Sequence, residues 1–191
     1  GYFNVDDTRR ILNTGIEYGL KPRMHADEFV DSGAAELAGE IGAFSADHLM
    51  AISEKGVESL VNNNVIGTLL PGTTFFLGKN TYAPARKLID CGIDVALATD
   101  FNPGSSNIQS MPFIISLACL FMELTVEEAF KAATYNSAKS LGLENKVGSV
   151  ELGMKADLII WDLDSLIDIP YYISNHPIQK VIKNGKIVFG A

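Results

Sequence analysis

Short apolar runs alternate with amphipathic stretches along most of the chain. Asp6 to Tyr18 places Ile11, Leu12 and Ile16 on one face at helical spacing, with Gly19 as the stop, and predicts a helix. Pro22 to Ala26 predicts a short strand, Ala34 to Ile41 a helix and Phe44 to Leu49 a second strand. Ser53 is a good N-cap for a helix reaching about Asn63. Val65 to Leu70 predicts a third strand, ended by a Pro71-Gly72 turn. A helix over Ala83 to Asp90 and a fourth strand over Val95 to Thr99 follow. Continuous apolar strands separated by helices indicate parallel strands buried on both faces.

After Asp100 the pattern changes. A loop leads into an apolar helix over Ile108 to Met122, then into a helix opened by the capping box Thr125-x-x-Glu128. Beyond Gly148 only short β-type runs remain: Asp157 to Trp161, Val181-Ile182 and Lys186 to Phe189, with Asn184-Gly185 as a hairpin signal. We place a boundary near residue 145, giving an α/β unit over 1–145 and a small β unit over 146–191.

Composition narrows the classes without choosing among them. With 47% hydrophobic and 20% charged residues, the chain has the make-up of an ordinary soluble protein. Its formal net charge of −8 argues against nucleic acid and anionic membranes as partners, since both need basic patches; a small-molecule substrate remains open. The longest apolar run, Met111 to Met122, is too short to span a bilayer, which needs about 20 residues. The N-terminus has no signal-peptide pattern, and Gly1 to Val5 reads as the tail of a loop. Cys91 and Cys119 both fall in apolar stretches and are expected as buried, reduced thiols, which places the chain in the cytoplasm.

The candidate chemistry sits at strand ends. His25 and His48 close the first two strands and Asp100 follows the fourth, the end where parallel α/β folds gather their active sites. Imidazole nitrogen and carboxylate oxygen together suit zinc or a similar divalent ion. Taken singly, each has a structural alternative: a hydrogen-bonded histidine, an Asp100 that caps a turn, a solvated Glu28. Their placement at one end of three of four strands favours the functional set.

The runs His25-Ala-Asp-Glu28, Ser45-Ala-Asp-His48, Leu69-Leu-Pro-Gly-Thr-Thr-Phe-Phe-Leu77 and Ala98-Thr-Asp-Phe-Asn-Pro-Gly-Ser105 resemble consecutive strand-end motifs of the amidohydrolase superfamily. The last two, with the Gly33 to Leu37 helix, resemble its imidazolonepropionase family. Gly148 to Leu158 is similar to the superfamily's return into a β-sandwich, with Asn184-Gly185-Lys186 in its final hairpin. The resemblance implies the C-terminal half of a TIM-type (β/α)8 barrel followed by a small β-sandwich segment. It implies one zinc or iron ion, with His25 and Asp100 as ligands, and His48 contacting the attacking water or the substrate oxygen. Glu28 would bind the imidazolone ring, Asn102 and Gly104 the carboxylate end, and Ser105, where the family usually has Thr, the substrate. The implied reaction opens the cyclic amide of 4-imidazolone-5-propanoate to N-formimidoyl-L-glutamate in histidine degradation, in a homodimer.

Two further ligands come, in the superfamily, from a His-x-His motif that this sequence lacks; His176 reads as a structural or surface group. The sequence therefore reads as a chain whose N-terminal half lies elsewhere, and weak or absent metal binding and no activity are expected of it alone. Two alternatives stay open: a related enzyme such as a cytosine or guanine deaminase, and a non-catalytic half-barrel or binding module.

Overall fold

The computed structural model describes residues 3–190. Gly1 and Tyr2 of the expected loop tail, and Ala191, lie outside the described residues. The elements run α1 (Val5–Glu17), β1 (Arg23–Ala26), α2 (Ala34–Glu40), β2 (Ser45–His48), α3 (Glu54–Asn62), β3 (Ile66–Leu69), α4 (Pro71–Phe76), α5 (Ala85–Asp90) and β4 (Val95–Leu97). There follow α6 (Met111–Phe121), α7 (Val126–Ala133), α8 (Tyr135–Ser140), β5 (Leu158–Trp161), α9 (Asp168–Tyr171), β6 (Ile178–Lys183) and β7 (Lys186–Phe189).

The first four strands form one parallel sheet in sequence order, β1-β2-β3-β4, the arrangement of a partial (β/α)8 barrel. The register sets His25 beside Asp47 and Asp47 beside Thr68, so these three share one face. The opposite face meets the helices, where Leu60, Leu69, Leu88, Leu97, Ile114 and Leu117 are fully or almost fully buried. Two glycines let α2 and α3 close on each other. A Cβ on Gly39 would lie 2.1 Å from Ser59 Oγ, and one on Gly56 would lie 2.9 Å from the Ala35 Cβ.

Strand β4 ends the sheet, and α8 covers it. Asn136 Nδ2 donates to the Val95 carbonyl and Ser137 Oγ to the Leu97 carbonyl, both at 2.8 Å. Edge carbonyls that would otherwise be unpaired are thereby satisfied. The remaining strands form an antiparallel sheet, β5-β6-β7, whose last turn holds Asn184 (φ 48°) and Gly185 (φ 75°) in the left-handed pair that a tight hairpin demands. The segment between β5 and β6 returns to the barrel: Ser116 Oγ donates to the Pro170 carbonyl at 3.1 Å, and His176 Nε2 meets Ser110 Oγ at 3.0 Å. His176 is thus a structural contact.

Several expectations need correction. Pro71-Gly72 does not end β3 in a turn; Pro71 opens α4, because its fixed φ and missing N–H suit the first helical turn. The short helices α8 and α9 carried too little periodicity to be seen. The apolar face of α1 is not buried: Ile11 and Ile16 are exposed, while Leu12, with Val5 at the start of the helix, packs partly buried against the core. Nor are the cysteines both buried. Cys91 caps α5 at its outer end and is exposed, while Cys119 is half-buried.

Candidate active site

The backbone does unusual work at the strand ends. Asp27 (φ 46°), His48 (φ 78°) and Asp100 (φ 50°) all adopt the left-handed region, which costs most side chains about 1–2 kcal/mol but suits Asp, Asn and His better. At His48 the reason is geometric. By strict alternation its side chain belongs with Ala26 on the helix-facing side, opposite His25 and Asp47. The reversed φ swings the imidazole across, and His48 Nε2 comes to 2.7 Å from His25 Nδ1.

Glu28 completes a cluster with these two rings. Donor atoms of His25, Glu28 and His48 all lie within 4.8 Å of one another. Burial, then the neighbouring His25, lower the His48 pKa to about 4 against the opposing pull of Asp100 and Asp47, so the ring is neutral at pH 7. Its 3.7 Å approach to Glu28 Oε1 is therefore not an ion pair and is too long for a hydrogen bond. His48 Nδ1 is left buried without a partner. Burial raises the Glu28 carboxyl above the usual range, with His25 pulling it down and Asp100 pushing it up.

Asp100 stands outside that cluster of donor atoms, although its charge acts on both Glu28 and His48. Its carboxylate Oδ2 accepts a 2.5 Å hydrogen bond from Thr73 Oγ1. Past Asp100 the chain makes a tight turn. Asn102 Oδ1 accepts from the Gly104 and Ser105 amides at 2.8 Å, and Asn102 Nδ2 donates to the Asp100 carbonyl and to Ser105 Oγ. Asn102, Gly104 and Ser105 thus form one unit directly after Asp100.

Asp27, Asp31 and Glu36 also bring carboxylates together, but Asp27 is already occupied. It is 3% exposed and accepts from the Ser32 amide and hydroxyl and from the Ala34 and Ala35 amides. It fastens the β1–α2 loop to the start of α2. Arg23, Ser45 and Asp47 form a further polar group on the His25 face: Arg23 Nε donates to Ser45 Oγ at 3.2 Å, and Ser45 Oγ to Asp47 Oδ1. Neither this group nor Thr73 was singled out from the sequence. The Leu69 to Leu77 motif, and the i, i+2 polar spacing within β1 and β2, were the available signals.

Residues 26–188 match the sequence profile of the Amidohydrolase family. The chain belongs to that family. This amidohydrolase chain is 50% identical over 188 residues to the "Imidazolonepropionase" of Geobacillus kaustophilus, covering 98% of this chain and 44% of that protein. It is 46% identical over 187 residues to the protein of the same name from Bacteroides fragilis, covering 98% and 45%. The chain therefore spans a little under half the length of these curated relatives. Among solved structures, an adenosine deaminase from Xanthomonas campestris with bound zinc superposes with a TM-score of 0.81 at 20% identity, over 98% of this chain and 49% of that one. A 5-methylcytosine deaminase from Klebsiella pneumoniae gives 0.81 at 19% identity, over 98% and 52%. At such identities the likeness establishes the amidohydrolase fold and nothing about substrate. No helix among the described residues is long and apolar enough to cross a membrane.

Proposed function

We propose that this chain supplies the C-terminal strand ends of a metal-dependent hydrolase that opens the ring of 4-imidazolone-5-propanoate to N-formimidoyl-L-glutamate. The observation that carries the reading is the 50% identity to an imidazolonepropionase over 188 residues, 98% of the chain. The deaminases share the fold at 20% identity or below, which gives the rival ring chemistry no comparable support.

The donor set fits a divalent cation. His25, Glu28 and His48 bring three nitrogen and oxygen donor atoms within 4.8 Å of one another at the ends of β1 and β2, and Asp100 follows β4 in the same sheet. His25 and Asp100 would hold a zinc or iron ion, with Glu28 and His48 beside it. When bound, such an ion lowers the pKa of water towards about 7 and polarises a carbonyl.

The chain's own groups then divide the reaction. Asp100 takes a proton from the attacking water as its oxygen bonds to the ring carbonyl carbon, and delivers that proton to the ring nitrogen as the C–N bond breaks. His48, neutral at pH 7, donates an N–H to the developing oxyanion without adding a full charge. Glu28 accepts from the ring N–H. The turn at Asn102, Gly104 and Ser105 offers amide and hydroxyl groups to the substrate's propanoate, in place of the contacts they now make to one another. A small-molecule substrate, a cytoplasmic location and a homodimer complete the proposal, as does a division of the chain near residue 145.

The test is a spectrophotometric assay of the protein expressed from its complete reading frame and loaded with zinc or iron. Decay of the imidazolone absorbance with stoichiometric formimidoyl-glutamate supports the reading. A folded, metal-bound protein that leaves the imidazolone intact rejects it.

A further inference from the structure

The Leu69 to Leu77 motif has no part in the chemistry above, yet it makes the single hydrogen bond to the Asp100 carboxylate seen among the described residues. We propose that Thr73 is a positioning residue: its hydroxyl fixes the Asp100 carboxylate through Oδ2 and leaves Oδ1 as the oxygen that meets the metal and the transferred proton. The inference rests on the assignment of Asp100 as ligand and base.

The local fold is arranged to deliver this contact. Pro71 starts α4 directly after β3, so Thr73 falls in the first turn, its amide bonded to the Leu70 carbonyl at 3.1 Å. Gly72 lets that turn approach the end of β4. A Cβ there would lie 3.3 Å from the Thr99 carbonyl oxygen and from Ser106 Oγ, and 2.8 Å from Ile114 Cδ1. Ser106 Oγ in turn donates to the Thr99 carbonyl at 2.8 Å. The residue before Asp100 is thus held by its carbonyl and Asp100 itself by its carboxylate.

The polarity of the bond is fixed. An ionised carboxylate only accepts, so Thr73 Oγ1 must donate, and a 2.5 Å O–H···O⁻ contact is of the short, charge-assisted kind. Thr73 is 0% exposed, so water does not readily take its place. Its neighbour cannot replace it either, because Thr74 Oγ1 points to Met50 Sδ at 3.0 Å. Asp100, in the left-handed region, is not held by a regular strand backbone, and the Thr73 hydroxyl supplies the constraint that the ladder does not.

The experiment compares Thr73→Val, Thr73→Ser and Thr74→Val with wild type, in the protein from the complete reading frame. Zinc affinity is measured without substrate, by competition with a chromophoric chelator, alongside kcat, KM and the thermal midpoint. Valine matches threonine in shape, so the fold is retained while the donor is lost. The expected result is a zinc affinity and a kcat each lower by about 10–100-fold in Thr73→Val, with KM nearly unchanged. Thr73→Ser should recover most of both, and Thr74→Val should match wild type in affinity. A Thr73→Val protein with wild-type affinity and kcat, or one whose only change is a lower thermal midpoint, overturns the inference. So does a serine variant as impaired as the valine, and so does a wild-type protein that takes up no metal. If wild type binds zinc but spares the imidazolone, the affinity arm still decides the role of Thr73 while the proposed substrate falls.

Discussion

His25 Nδ1 and His48 Nε2 stand 2.7 Å apart, a hydrogen bond that two fully protonated rings could not form. With the proton on His25 Nδ1, the ring keeps Nε2 as a lone-pair donor, and His48 keeps Nδ1–H facing Glu28. This pairing separates two possible ligand sets, His25 with Asp100 and His25 with Glu28 and His48. His48→Asn tests them, since asparagine tolerates the left-handed backbone at that position. In the protein from the complete reading frame we expect stoichiometric metal with kcat lower by about 100-fold or more, measured by elemental analysis and steady-state kinetics. Loss of the metal would move His48 into the ligand set.

Asp27 satisfies four donors at the start of α2 from a nearly fully buried position. Truncation to alanine leaves those donors unpaired, at a cost of about 2–3 kcal/mol. Asp27→Asn keeps an acceptor oxygen and tolerates the positive φ, so it should lose less. Urea unfolding of both variants measures the difference, and an alanine variant as stable as wild type would contradict the role given to Asp27.

Glu128 sets part of the acid limit of stability. The Thr125 amide, followed by the guanidinium of Arg86, holds its carboxyl below the ordinary glutamate value, outweighing the effect of burial. Arg86 Nη1 lies 3.0 and 2.9 Å from the two carboxylate oxygens. Because the folded pKa is depressed, this stabilisation is fully present above the unfolded value of 4.5 and is lost as pH falls through the folded one. Glu128→Gln should therefore unfold at a lower midpoint at pH 7 and show a flatter decline below pH 4.5. A thermal-midpoint profile with the same slope as wild type would show that the carboxylate contributes nothing there.

Gly39 faces α3 with no space for a methyl group, its ideal Cβ lying 2.7 Å from the Ser59 carbonyl oxygen. Gly39→Ala should destabilise by about 1–3 kcal/mol through overpacking, despite alanine's better helix propensity. Gly42, whose Cβ would meet nothing within 4 Å, has a positive φ instead, so its substitution tests backbone strain alone. Chemical denaturation of the two variants distinguishes contact from strain.

Much of the fold was legible because periodicity reports burial. The four parallel strands, the Ser53 cap, the Thr125–Glu128 capping box and the Asn184-Gly185 hairpin all stand where the pattern put them. What failed did so for physical reasons. Pro71-Gly72 has turn chemistry but also suits a first helical turn, and only its neighbours decide between them. The face of α1 is apolar by spacing yet exposed, since periodicity says which residues share a side and not what covers it. At the site, His25, Glu28, His48 and Asp100 were visible as strand-end residues. The Thr73 contact was not, because it joins the first turn of α4 to the loop after β4, 27 positions away.

The left-handed backbone at residues 27, 48 and 100 carries a consequence for redesign. A library randomised at those three sites and selected for folding alone should return a narrow alphabet of Asn, Asp, Gly and His. The scaffold would pre-filter its own catalytic vocabulary before any substrate was offered.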